Sequence, residues 1–69
     1  MEMQAIKSSM IKAMGYDADN EELYIEFNSG KSFKYPGVTQ AAFGELQSAD
    51  SVGSFFHKNI KNNFKGVPL

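Results

Sequence analysis

Residues 22–36 constrain this chain more than any other stretch. Their centre, LYIEFNSGKSFKY, places apolar and polar side chains in strict alternation on both sides of Asn28-Ser29-Gly30. A type I turn closed by a left-handed glycine makes a three-residue hairpin loop, which sets Phe27 opposite Lys31. Ile25 then faces Phe33 and Leu23 faces Tyr35, so that five apolar side chains share one face. Tyr24, Glu26, Ser32 and Lys34 occupy the other. Slipping the register by one residue would turn the whole apolar set toward water, and the pairing is therefore well specified.

The flanks extend the hairpin into a layered fold. Residues 8–16, SSMIKAMGY, suit a first strand, although Met10, Met14 and Tyr16 share one phase while Ile11 and Ala13 share the other. The broken alternation predicts a kink, with Gly15 as its expected place. DADNE, residues 17–21, reads as a turn into the hairpin. Pro36-Gly37 ends the third strand. Thr39 is a suitable N-cap for a first helix, Val38 and Phe43 have the spacing of a hydrophobic staple, and Ala42, Phe43, Leu46 and Ala49 form its stripe. Asp50 or Ser51 caps a second helix carrying Val52, Phe56, Ile60 and Phe64, and Gly66 ends it ahead of Pro68. The expected architecture is α+β: a three-stranded antiparallel meander with two C-terminal helices packed on one face. Residues 1–7 are expected to be a disordered arm, residues 8–65 a single domain and residues 66–69 a frayed tail.

Sixty-nine residues leave room for one modest core, and a 13% aromatic content that includes six Phe supplies much of what it can bury. The absence of cysteine excludes disulfides and thiolate metal sites. The N-terminus lacks the apolar run of a signal peptide or a membrane span, so cytoplasmic residence with no membrane contact is expected. The net charge of -1 exerts no global pull on nucleic acid, yet the charges are segregated. Asp17, Asp19, Glu21, Glu22 and Glu26 fall in a stretch without a base. Beyond Asp50 the charged side chains are Lys58, Lys61 and Lys65, with His57 when protonated.

Each candidate site has an ordinary structural explanation beside it. The acidic loop alternates oxygen ligands but lacks the glycine and distal glutamate of a calcium loop, and it reads as a solvated turn. Ser54 and His57 lie three apart on a helix without an orienting third group, so no catalytic residue, metal or cofactor is expected. Lys58, Lys61 and Lys65, accompanied by Asn59, Asn62 and Asn63, are the strongest candidate contact, since a lysine face can bind phosphate as well as complement a helix dipole. All seven basic residues are Lys, which removes the bidentate fork of arginine. Tyr24 beside Lys34 on the outer sheet face is a second candidate, either as a stacking patch or as ordinary cross-strand packing.

Ser8-Ser9, Ile11, Gly15-Tyr16-Asp17, Leu23, Ile25, Phe27, Gly30, Phe33, Tyr35, Val38, Phe43, Leu46, Ala49, Ser51, Gly53, Phe55-Phe56, Ile60-Lys61 and Phe64, in that order, resemble the KTSC domain. The resemblance runs from Ser8 to Phe64. It implies kinship with a segment at the C-terminus of some lysyl-tRNA synthetases and with small free-standing bacterial and phage proteins. It implies no particular activity. Phe33 replaces the first tyrosine of the family's central Tyr-x-Tyr, His57 stands where asparagine is usual, and Thr39 where proline is usual. The function expected is a non-enzymatic binding module for RNA or protein. The alternatives are a homodimerisation domain that covers a sheet edge and, more remotely, a small hydrolase centred on His57.

Overall fold

A computed structural model describes residues 2–69. Strands β1 (Gln4–Ala5), β2 (Ile11–Asp17), β3 (Glu22–Phe27), β4 (Ser32–Pro36) and β5 (Val67–Pro68) form one antiparallel sheet in chain order. Helices α1 (Gln40–Ser48) and α2 (Val52–Phe55) follow the hairpin, and α2 runs directly into a π-helical turn over Phe56–Ile60. The class is α+β as expected, but with five strands instead of three. Both additional strands lie in segments read as terminal arm and tail, of which Met1 is outside the described residues. A two-residue strand is too short to show any periodicity, so only its partner betrays it. Ala5 pairs with Ala13 at one edge, while Val67 pairs with Lys34 at the other. The edges that a meander would leave open are thus partly occupied from within the chain.

The hairpin has the expected register: Leu23 faces Tyr35, Ile25 faces Phe33, and the Phe27 N–H donates to the Lys31 carbonyl at 2.9 Å. Gly30 closes the loop at φ +94°, a conformation that side chains resist. Strand β2 begins at Ile11 and not at Ser8. The Ser8 hydroxyl accepts from the N–H groups of Met10 and Ile11 at 3.1 and 3.2 Å, folding residues 8–10 into a turn. The kink is a bulge between Ile11 and Ala13, ahead of the expected Gly15. One extra residue there lets Ile11 and Met14, which are out of phase in the sequence, both enter the core.

The helices start where their caps predict. Thr39 Oγ1 accepts from the Ala42 N–H at 3.2 Å, and Ser51 Oγ accepts from the Ser54 N–H at 3.3 Å. Leu46 is fully buried from α1, whereas Phe43 turns to stack on Tyr16 with centroids 4.8 Å apart. The second helix departs from the expected regular α-helix after Phe55, where the Lys61 N–H reaches back five residues to the Phe56 carbonyl at 2.9 Å. Its stripe explains the departure. A repeat of four overshoots the 3.6-residue turn by about 40° per step at 100° per residue. A wider turn brings the stripe back, and both Phe56 and Ile60 are buried.

Phe56 is the keystone of this packing. It is wholly buried, with ring edges or faces against Phe27 at 5.6 Å and Tyr35 at 5.2 Å. Truncating a phenylalanine in such a place removes transfer energy and leaves a cavity, about 3–5 kcal/mol together. Phe56→Ala is therefore expected to unfold at much lower urea than the parent, with Phe43→Ala on the half-buried face of α1 losing less. Equal midpoints for the two variants would remove Phe56 from this role.

Candidate functional site

The apolar face of the hairpin is not completely roofed. Where the π-helical turn gives way to residues 61–66, a half-open cavity of about 380 Å³ remains between the chain and strands β3 and β4. Phe27, Phe33, Tyr35, Phe56 and Phe64 line it together with Met10. The aromatic rings meet mainly edge to face, Phe27 lying 5.9 Å from Phe33 at 72°. The charged side chains lining it are Lys61 and Lys65. Gly66 completes the wall, and there a side chain would not fit: a Cβ would stand 2.8 Å from the ring of Tyr35.

The candidate lysines are thereby divided from the second candidate pair. Lys61 and Lys65 border the cavity, and Lys58 lies exposed one turn earlier. Neither of the two ion pairs among the described residues uses them. Tyr24 and Lys34 face each other across β3 and β4 on the opposite side of the sheet. There the Tyr24 hydroxyl donates to Glu22 Oε1 at 3.3 Å and Lys34 Nζ lies 3.6 Å from Glu22 Oε2. Desolvation first, then the charge of Glu22, holds the Tyr24 hydroxyl above its usual range. No single ligand of modest size spans both groups, because the sheet separates them.

The asparagines that accompany the lysines are committed to the backbone. Asn59, Asn62 and Asn63 donate their amides to the carbonyls of Phe55, Lys58 and Asn59, each four residues back. Such bonds compete with regular helix bonds and accompany the widened turn. Ser54 and His57 are both exposed, and among the described residues no hydrogen bond joins them. A second, larger cleft of about 720 Å³ lies between α1 and strands β1 and β2, where Gln47 donates to Gln4 at 3.2 Å. Its charged residue is Glu2, and its chemistry is mostly neutral.

The aromatic wall was the part least visible in the sequence. Alternating aromatics on a hairpin signal burial, and only the position of the returning chain decides whether the burial is complete. The repeat of four in the second helix was the available sign that this segment would not run as a plain α-helix.

A small α+β domain with an aromatic cavity rimmed by lysines is what fold and site together define. The model of the KTSC domain matches residues 7–64, and the chain belongs to that family. A protein of Tsukamurella paurometabola is 36% identical over 67 residues, covering 97% of this chain and all of the relative. A lysine–tRNA ligase of Nostoc sp. is 41% identical over 59 residues, 86% of this chain but 10% of the ligase. The crystal structure of a KTSC domain protein from Yersinia pestis superposes with a TM-score of 0.94 at 37% identity, covering 99% of this chain and 96% of that one.

The acidic turn closes on itself. Asp17 Oδ1 accepts from the N–H groups of Asp19 and Asn20 at 3.1 and 3.3 Å, and Oδ2 accepts from the Asn20 amide at 2.9 Å. The Asn20 side-chain bond, opposed by slight desolvation and helped by the two backbone bonds, holds the carboxyl below its usual range. A group with a depressed folded value stabilises the fold above its unfolded pKa, and the effect fades as pH falls through the folded value. Asp17→Asn is accordingly expected to lose stability near neutrality and to show a shallower acid-side decline than the parent. Parallel melting-versus-pH curves would contradict this.

Proposed function

We propose that the domain binds single-stranded RNA, with an unpaired base entering the aromatic cavity and neighbouring phosphates meeting Lys61, Lys65 and Lys58. One observation carries this reading: the cavity's charged lining is cationic and the rest of its wall is largely aromatic. Single-strand binding sites combine those two features, since every base offers a face for stacking and every nucleotide a phosphate for lysine. Lysine serves phosphate as a point charge without needing a fork. The cavity volume lies within the usual range of ligand pockets, at its smaller end, which suits one base better than a duplex.

Context supports the same reading. Relatives named lysine–tRNA ligase include a segment similar to this chain over 10% of their length, and that name points to a tRNA substrate. In this reading the domain acts by contact, through a cavity lining made of aromatic side chains, Lys61, Lys65, Met10 and Gly66. Protein docking or self-association would use apolar area instead and would respond little to salt.

Affinity for a short single strand should fall linearly with salt on logarithmic axes, with a slope of about -0.7 per phosphate neutralised, or about -2 for three lysines. Replacing Lys61 and Lys65 together by alanine is expected to reduce the slope to about -0.7. Lys34→Ala, on the other side of the sheet, should change neither slope nor affinity. Fluorescence anisotropy with labelled oligouridylate at several salt concentrations checks this. If Lys34→Ala weakens binding and the double variant does not, the contact belongs to the outer face.

A further inference from the structure

Three tyrosines occupy the sheet, and their hydroxyls meet different fates. Tyr16 donates to the Val38 carbonyl at 2.7 Å and Tyr24 donates to Glu22. Tyr35 is 5% exposed, deeper than either, yet among the described residues its hydroxyl makes no hydrogen bond. It is not sealed away, since no buried side-chain oxygen is left without a partner. The ring lines the cavity, and the hydroxyl lies beside Gly66 on the same wall. The phenol is thus an unpaired donor, among the described residues, on a side chain that lines the cavity.

We infer that Tyr35 reads the base that occupies the cavity, its hydroxyl donating a hydrogen bond to a ring carbonyl and so favouring uracil over adenine. This rests on the RNA reading above and adds a specificity to it. Lys61 and Lys65 are donors without acceptor capacity, and the phenol is the remaining side-chain polar group in the lining. The polar groups of the site are therefore mostly donors, and they suit an acceptor-rich edge. Uracil presents two carbonyl oxygens, while the acceptors of adenine that lie away from the sugar, N1 and N7, both flank its amino group, which would set donor against donor beside the ammonium groups. Burial also holds the phenol above its usual pKa, which keeps its proton in place. A donor that one base satisfies without an opposing donor and the other does not gives discrimination that stacking alone does not supply.

The occupant's fit explains why Gly66 matters to the same wall. With Cβ positions only 2.8 to 3.1 Å from the ring and hydroxyl of Tyr35, any side chain there would push the phenol out of place. The glycine is thus a positioning residue for the hydroxyl.

The test compares oligouridylate and oligoadenylate of equal length on the full chain and on Tyr35→Phe, by anisotropy at fixed salt. The substitution retains the ring that packs 5.2 Å from Phe56 and removes a hydroxyl that makes no hydrogen bond among the described residues, so the fold is kept, as a thermal melt will show. The parent should prefer oligouridylate, and Tyr35→Phe should weaken that binding about three- to tenfold while leaving oligoadenylate nearly unchanged. The salt slope should be the same in parent and variant, because no phosphate contact is lost. Salt-dependent binding with no preference, or a preference that survives Tyr35→Phe, overturns the role of Tyr35 alone. Failure of the parent to bind either strand overturns the RNA reading and this inference with it.

Discussion

The contact between Phe56 and the aromatic face of the hairpin is the interaction on which the remaining structure depends. A chain of this length buries a small fraction of its surface compared with larger domains, and few side chains must account for most of the gain. Phe56 meets Phe27 and Tyr35 together, at 64° and 80°, which are edge-to-face geometries worth about 0.5–1.5 kcal/mol each beyond the area buried. Both partners sit on one face only because the hairpin register is right. The helical segment and the sheet therefore specify one another: the turn at residues 28–30 sets the register, the register gathers the rings, and the rings receive Phe56.

Much of this order was readable from residue spacing. Period-two alternation across a short turn identifies a hairpin and its register at once, because a single wrong step exposes every apolar side chain. Thr39 announced the first helix start through its hydroxyl, and of the two residues that could cap the second, Asp50 and Ser51, it is Ser51 whose hydroxyl does so. The terminal strands were not readable, since Gln4–Ala5 and Val67–Pro68 have no period and are stabilised by the edges they meet. The bulge was half readable. The clash of phase between Ile11 and Met14 demands an irregularity, but its place is not the glycine at position 15, since the extra residue is inserted ahead of Ala13.

The candidate site was readable to a different degree. Segregated charge pointed to Lys58, Lys61 and Lys65 without any structure, because a base-free acidic stretch from Asp17 to Glu26 and an end whose charges beyond Asp50 are lysines can be counted. Hydrophobic pattern gave the aromatic residues as core, and Tyr35 and Phe56 are indeed buried, while Phe27, Phe33 and Phe64 are only partly so. Pattern reports which side of an element avoids water. It does not report whether the opposing element is long enough to cover it. Lys34 illustrates the converse, since its placement on the outer face was readable but its pairing with Glu22, two residues before Tyr24 on the neighbouring strand, depends on rotamers.

The cavity follows from how the second helix ends. A regular α-helix carrying apolar residues at every fourth position would rotate its stripe steadily off the sheet. The widened turn over Phe56–Ile60 corrects that rotation for Phe56 and Ile60 and returns the chain toward β4. The Phe64 N–H still reaches the Ile60 carbonyl at 2.9 Å, but then the chain must cross from helix to sheet edge within residues 65–66 to form β5. Gly66 makes the crossing against the ring of Tyr35, at a distance no other residue permits. Two constraints, a stripe that must be buried and an edge that must be paired, thus meet over one short span. They leave Phe64 unable to complete the roof, and Lys61 and Lys65 at its margin. The opening is in this sense a geometric consequence of closing the sheet with the chain's own end, and it leaves Phe27, Phe33 and Phe64, the partly buried rings around Phe56, along the cavity wall.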